Sequence, residues 1–180
     1  MNEFLDIVKG RRSIRKYQEK DIPEQVLEEI LESVRWSPSW ANTQCWEVIV
    51  VKDAKKKAEL AEALGQTNPA QRAVTHAPVV LALAARLKSS GYYKGKVTTK
   101  FGDWFMFDIG IATQSLCLAA HNLGLGTVIA GMFEHDRAKG VLEVGEGYEV
   151  VVLIPVGYPN QEPPAPKRRE RAEFTHYNQF

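Results

Sequence analysis

The chain has 180 residues, of which 44% are hydrophobic, 25% charged and 9% aromatic, and this is the composition of a globular protein rather than a disordered or fibrous one. Its length suits one compact domain, residues 1–180. With 23 Lys and Arg against 22 Asp and Glu, the formal net charge is only +1. The surface as a whole is therefore not built to bind nucleic acid or an anionic membrane, and any charge-based function must be local.

The sequence also indicates a compartment. The first residues carry acidic side chains and no long apolar stretch, which argues against a signal peptide. The longest apolar run, Ala77–Ala85, is about nine residues, whereas a membrane-spanning helix needs about 20. The two cysteines, Cys45 and Cys117, form no recognisable disulfide framework. We therefore expect a soluble, reduced, cytoplasmic protein.

Helices and strands alternate irregularly along the chain, which predicts an α+β fold. A short helix over Glu3–Val8 is closed by Gly10, and a second one is opened by Asp21-Ile22-Pro23 with Glu24 completing a capping box. The remaining predicted elements are a strand at 46–51, a charged surface helix at 53–64, a buried strand at 78–83, strands at 126–130 and 149–156, and an extended C-terminal arm at 161–180.

A long helix predicted over Trp104–Leu123 is apolar on nearly every face, with Phe105, Phe107, Ile109, Leu116 and other large side chains. Such a helix must be buried on all sides. Two environments satisfy this requirement: an interface with a partner subunit, or the centre of a monomer's core.

The sequence lacks the motifs of several common enzyme classes. It contains neither a GxSxG nucleophile elbow nor an HExxH zinc motif, and its four histidines lack the spacing of metal ligands. Gly124-Leu125-Gly126 is not a dinucleotide fingerprint, because the third glycine is replaced by Ile129 and the turn precedes a strand instead of following one.

Two basic clusters lie at opposite ends of the chain. In an extended segment, Arg11, Ser13 and Arg15 share one face and Ile14 the other, and guanidinium groups flanking a hydroxyl suit a phosphate-like anion. The second cluster, Pro166-Lys167-Arg168-Arg169, lies in the C-terminal arm. Either cluster alone also fits a solvated basic segment, but together they favour one shared bound anion.

A third cluster, residues 37–46, combines small polar side chains with two tryptophans in a connection between a helix and a strand. This aromatic surface suits a planar ligand or a partner subunit. Alternatively, Trp46 is simply the first core residue of the strand that follows.

Four motifs follow one another along the chain: Arg-Arg-Ser-x-Arg near the start, Ser-Pro-Ser-x-x-Asn-x-Gln-x-Trp around residue 40, Leu-Gly-Leu-Gly-Thr before an apolar strand, and Pro-Lys-x-Arg in the arm. In this order, over nearly the whole chain, they resemble the nitroreductase family of FMN-dependent oxidoreductases. Cys45 departs from the pattern, since many members have proline there. The resemblance implies a mostly antiparallel sheet flanked by helices, and an intertwined homodimer with two FMN sites at the subunit interface.

The resemblance also implies a role for individual residues. Arg11, Ser13, Lys167 and Arg169 hold the FMN phosphate, Arg12 borders that site, and Arg15 lies near the N1 and O2 edge of the flavin. The other subunit supplies Pro38, Ser39, Trp40 and Asn42. Backbone N–H groups face flavin N5 and O4 from Ile129, Ala130 and Gly131, while Asn68 and Arg72 match the positions of an amide and a base against the ring.

The implied activity is a two-step transfer of hydride from NADH or NADPH through FMN to a small acceptor such as a nitroaromatic or a quinone. No catalytic acid or nucleophile is required, because the cofactor performs the chemistry. Residues 87–102 would be the only lid over the substrate. Two alternatives stay open: a flavin-fragmenting or reductively dehalogenating relative, and a non-catalytic anion- or nucleotide-binding module.

Overall fold

A four-stranded sheet forms the centre of the molecule in the computed structural model, which describes residues 3–180. Its strands are β1 (Trp46–Val51), β2 (Val79–Arg86), β5 (Gly126–Thr127) and β6 (Tyr148–Gly157), in the order β1-β2-β6-β5. All three pairings are antiparallel. A separate two-stranded hairpin consists of β3 (Tyr92–Tyr93) and β4 (Lys96–Val97).

Helices cover both faces of this sheet. They are α1 (Glu3–Gly10), α2 (Glu24–Arg35), α3 (Ala54–Ala63), α4 (Gln71–His76), α5 (Phe105–Asn122) and α6 (His135–Val141). Short 3-10 turns cover Trp40–Asn42 and Arg171–Glu173. The predicted α+β class with an antiparallel sheet between helices is confirmed.

Strand β2 explains why two cores form. Its residues from Val79 to Ala85 are all buried, and because side chains alternate along a strand, odd and even positions face opposite layers. Leu81 and Leu83 pack with helices α2 and α5, whereas Val80 and Ala82 pack with α3, α4 and α6. The sheet is thus the middle of three layers.

Element boundaries differ from the expectations in three places. Helix α2 begins at Glu24 with Pro23 as its N-cap and no side-chain cap, so the capping box expected from Asp21 is wrong. Helix α1 includes Gly10 rather than ending before it. The strand expected at 126–130 pairs continuously only at 126–127, and Ala130 rejoins β6 through an isolated bridge to Leu153.

Helix α5 is the predicted long helix, but within one chain only part of its circumference is covered. Ile109, Ala112, Leu116 and Ala120 are fully buried against the sheet and α2. On the opposite side Phe107 is 58% exposed. This exposed side lines an apolar groove of about 880 Å³, whose large residues are Phe4, Trp36, Met106, Phe107, Ile111 and Leu118.

No helix within residues 3–180 combines the length and apolar character needed to cross a membrane.

Candidate functional site

The segment after α1 is extended, as the sequence predicted. Ser13 forms a parallel bridge with Thr127, and the Ile14 amide donates to the Thr127 carbonyl at 2.8 Å. Ile14 is buried and Arg15 is exposed, so the expected alternation of faces is confirmed. Gly126 permits this close approach, because a Cβ there would lie 2.6–2.8 Å from Ile14.

The two basic clusters meet, although not through every residue expected. Four residues of the first cluster and four of the arm line one pocket of about 380 Å³: Arg11, Arg12, Ser13, Arg15, Pro163, Pro164, Pro166 and Arg168. The arm therefore contributes Arg168, while Lys167 and Arg169 are not among the lining residues. Arg169 instead places its guanidinium over the ring of Phe174, 5.5 Å from the centroid. The phosphate roles of Lys167 and Arg169 stay predictions.

Arg12 points partly away from this pocket. Its guanidinium donates to the carbonyls of Lys9 at 2.5 Å and Arg11 at 2.8 Å, at the end of α1. The role of Arg12 at the border of the anion site stays a prediction.

A second pocket, of about 660 Å³, shares Arg15 with the first. It is also lined by Lys16, Tyr17, Pro69, Arg72, His76 and Gln161. Arg15 and Arg72, expected on the same ligand, are thus brought together. Tyr17 donates its hydroxyl to the carbonyls of Ile14 at 2.7 Å and Pro155 at 3.1 Å, and burial raises the pKa of its phenol well above the ordinary value. Tyr17 therefore lines this pocket as an uncharged phenol.

The backbone at 129–131 carries the amides expected to face the flavin. The Ala130 amide donates to the Leu153 carbonyl at 3.0 Å, and Ala130 is buried, so this N–H is used within the sheet, and a contact of Ala130 with the flavin stays a prediction. The amides of Ile129 and Gly131, both exposed residues, have no hydrogen-bond partner among residues 3–180. An extended backbone alternates its N–H directions, which explains the difference.

Asn68 supports this segment from the side. Its Nδ2 donates to the Met132 carbonyl at 2.8 Å, and its Oδ1 accepts from the Ala70 amide at 2.9 Å. Asn68 is buried. It thereby fixes the backbone next to Gly131 and leaves one amide N–H without a partner in the described chain.

Residues 37–45, called the loop below, form a separate half of the expected site. The loop contains positive φ angles at Ala41, Asn42 and Gln44, a conformation that asparagine tolerates better than most residues. Ser39 accepts the Gln44 amide at 2.9 Å, and the Trp40 amide donates to Asp108 Oδ1 at 3.0 Å. Pro38 and Asn42 line a separate pocket of about 340 Å³ together with Arg35, Trp36, Ser37 and Gln44, and no residue of the two basic clusters lines it.

The two halves lie at opposite ends of α5. The loop is attached at Asp108, whereas Gly10 and Arg11 lie against His121. At about 1.5 Å of rise per residue, Asp108 and His121 are about 20 Å apart along the helix. The predicted residues are therefore gathered into two half-sites in one chain, not one.

Tyr17 and Lys16 were missed by the sequence reasoning, and Arg168 was included only as a member of the C-terminal basic cluster, without a role of its own. Tyr17 continues the alternation of Arg11, Ser13 and Arg15, so the same period of two could have found it. Arg168 occupies the variable position of Pro-Lys-x-Arg, where no motif distinguishes it. No group of three or more His, Cys, Asp or Glu side chains in the described chain is arranged to hold a metal ion.

Known proteins resemble this chain over most of its length. The family model described as "Nitroreductase family" matches residues 8–158. A Methanothermobacter thermautotrophicus protein assigned as an NADH dehydrogenase/NAD(P)H nitroreductase is 32% identical, over 89% of this chain and 80% of its own. FMN reductase [NAD(P)H] of Bacillus subtilis is 28% identical, over 99% of this chain and 76% of its own. Iodotyrosine deiodinase 1 of Mus musculus is 25% identical, over 94% of this chain and 67% of its own.

A solved structure supports the same relationship. The NADPH:FMN oxidoreductase of Vibrio harveyi, determined in complex with NAD⁺, superposes with a TM-score of 0.85 at 26% identity, over 99% of this chain and 78% of its own. The family match covers well over half of the sequence, and the fold agrees with it. The chain belongs to the nitroreductase family.

Proposed function

We propose that this protein is an FMN-dependent NAD(P)H oxidoreductase that reduces a small acceptor such as a nitroaromatic or a quinone. The observation that carries the proposal is the meeting of Arg11, Ser13 and Arg15 with Arg168 around one pocket that adjoins the pocket of Arg72. The B. subtilis FMN reductase and the V. harveyi enzyme support the choice of cofactor and electron donor.

The residues present fit FMN at both of its ends. Guanidinium groups and a hydroxyl suit the phosphate, because charge-assisted hydrogen bonds to an anion are stronger than neutral ones. The unpartnered amides of Ile129 and Gly131 suit the acceptor atoms along the flavin edge. These amides are also held rigidly, because Ala130 between them is bonded to β6.

Each residue then has a defined task in binding. Arg11 and Ser13 hold the phosphate, and Lys167 and Arg169 of the arm are proposed to join them. Arg15, shared by the two pockets, places a positive charge beside the ring. When bound, FMN supplies the redox chemistry, accepting hydride from NAD(P)H and passing it to the acceptor. The positive charge of Arg15 favours the reduced, more anionic cofactor, and Asn68 and Arg72 orient the ring edge.

The complete site requires a second copy of the chain. The loop and the arginine pocket are about 20 Å apart along α5, so the loop of one subunit is proposed to reach the arginines of the other. The apolar groove on α5 supports this proposal, because it exposes large hydrophobic residues that a partner would cover. The thiols of Cys45 and Cys117 are free, which fits a reducing compartment, and we place the protein in the cytoplasm.

The visible spectrum tests this function. FMN is added to the purified protein, free cofactor is removed by desalting, and NADH or NADPH is added without air. We expect a flavin absorption band that survives desalting and bleaches with either donor. A protein that retains no flavin would refute the proposal. Product analysis with nitroaromatic, quinone and iodinated aromatic acceptors then separates a nitroreductase from a reductive dehalogenase.

A further inference from the structure

Residues 87–104, called the flap below, form an ordered unit rather than a loose connection. Strands β3 and β4 pair across the turn Lys94-Gly95, where both residues have positive φ, as a tight two-residue hairpin turn requires. The base of the flap is closed by hydrogen bonds from the Lys88 amide to Asp103 Oδ2 at 2.6 Å and from the Trp104 amide to the Ser90 carbonyl at 3.0 Å.

Asp108 joins this flap to the loop. Its side chain is fully buried on α5 and accepts hydrogen bonds from three donors in two segments. The Trp40 amide donates to Oδ1 at 3.0 Å, the Ser90 hydroxyl donates to Oδ2 at 2.6 Å, and the Cys45 thiol lies 3.6 Å from Oδ2. Ser90 belongs to the flap, and Trp40 and Cys45 belong to the loop.

No lysine, arginine or histidine within residues 3–180 forms an ion pair with Asp108. A buried carboxylate without a cation depends on its hydrogen-bond donors, because losing one leaves charge that neither water nor protein satisfies. Burial and the neighbouring carboxylate raise the pKa of Cys45 to about 12, so its thiol stays protonated and can donate. The Asp108 side chain therefore holds all three donors strongly, and this one side chain fixes both the flap and the loop.

We propose that Asp108 is a positioning residue that locks the flap to the flavin-binding loop, so that the two segments move as one body. Ordering the loop on the cofactor then also orders the flap, which contains the lid that the family resemblance implies at residues 87–102. The lock itself is a property of one chain, whereas its consequence for flavin binding rests on the proposed function.

Two adjacent serines provide a matched test. Ser90→Ala removes the flap's bond to Asp108, whereas Ser89→Ala removes only a hydroxyl that donates to the Arg86 carbonyl at 3.1 Å. Iodoacetamide labelling, resolved by peptide mass spectrometry, reports the opening of the junction at Cys45. We expect Ser90→Ala to label about tenfold faster at Cys45 than wild type, the scale of a lost hydrogen bond to a charged group, with Cys117 unchanged. Ser89→Ala should match wild type.

Flavin affinity provides a second readout. The loop is expected to contact the ring rather than the phosphate, so Ser90→Ala should weaken FMN and riboflavin binding by the same factor. Equal labelling of the two serine variants at Cys45 would overturn the lock. Faster labelling of Ser90→Ala with unchanged flavin affinities would overturn its role in the cofactor site.

A measurement on the unaltered chain avoids any folding defect of the variants. Hydrogen exchange of wild-type protein is followed with and without FMN, and we expect the amides of residues 87–104 to exchange several-fold more slowly when FMN is present. Unchanged exchange in the flap, with FMN bound, would overturn the coupling. If wild type binds no FMN, the proposed function fails, while the labelling difference still tests the lock.

Discussion

Gly126 allows the arginine segment to lie against β5, and replacing it should disturb both folding and cofactor binding. In Gly126→Ala the new Cβ would lie 2.6 Å from Ile14 Cγ1, 2.7 Å from Cβ and 2.8 Å from Cγ2. All three distances are far below van der Waals contact, and one of these atoms is Cβ, so rotating the side chain cannot relieve the clash. The backbone on either side of Ile14, which carries Ser13 and Arg15, must move.

The expected cost follows from this geometry. Overpacking a filled core typically costs about 1–3 kcal/mol in the free energy of unfolding. Because the displaced backbone carries the proposed FMN contacts Ser13 and Arg15, we expect the dissociation constant for FMN to rise about tenfold, equivalent to about 1.4 kcal/mol. Urea unfolding and fluorescence titration with FMN measure the two effects.

Gly140 provides the control for this substitution. It lies within α6, and nothing is within 4 Å of the position that its Cβ would take. Gly140→Ala should therefore stabilise the protein by about 0.5–1 kcal/mol, because alanine loses less conformational entropy in a helix. If Gly126→Ala binds FMN as tightly as Gly140→Ala and is equally stable, the close packing of β5 on Ile14 does not position the site.

Three further predictions concern binding, pH and capping. Arg11→Ala should weaken the binding of FMN but not of riboflavin, and equal weakening of both would contradict a phosphate contact. Arg15→Ala should retain FMN but slow its reduction by NAD(P)H in stopped-flow absorbance, and an unchanged reduction rate would contradict a charge beside the ring. Burial and the nearby arginines lower the pKa of His121 below 6.5, so stability should fall as pH decreases from above 6.5 through the folded pKa, and His121→Gln should flatten this dependence in urea unfolding. Asp53→Ala should cost about 1 kcal/mol in unfolding free energy, because the Asp53 carboxylate caps α3 through the Lys56 amide at 2.8 Å; an unchanged urea midpoint would exclude that cap.

The sequence was informative where one short pattern decides the local structure. Alternation along residues 11–15 predicted both the extended backbone and the buried Ile14. In an extended chain, successive side chains point to opposite faces, so a period of two separates the polar residues from Ile14. The apolar residues on nearly every face of helix 104–123 likewise predicted that this helix must be buried on all sides. In a single chain, part of this apolar helix surface stays exposed and lines the groove on α5.

Contacts between distant segments could not be predicted in the same way. Nothing near residue 108 in the sequence indicates that its carboxylate is bonded by Ser90 and by Trp40. The hydrogen bond from the Ala130 amide to the Leu153 carbonyl depends on the tertiary path of β6, so the family pattern alone does not reveal it. The arm contributes Arg168 to the pocket for a similar reason, since the orientation of an extended segment is set by what it packs against.

The central claim, that one FMN site is built from two chains, is tested most directly by mixing two defective variants. Arg11→Ala removes a proposed phosphate ligand, and Asn42→Ala disturbs the loop, so a homodimer of either variant should bind FMN weakly. After subunits of the two are unfolded and refolded together, mixed dimers contain one site with both halves intact. We expect tight FMN binding to return to about a quarter of the sites in an equal mixture, as random pairing of two subunit types dictates. A mixture that binds FMN no better than either variant alone would contradict a site shared between subunits.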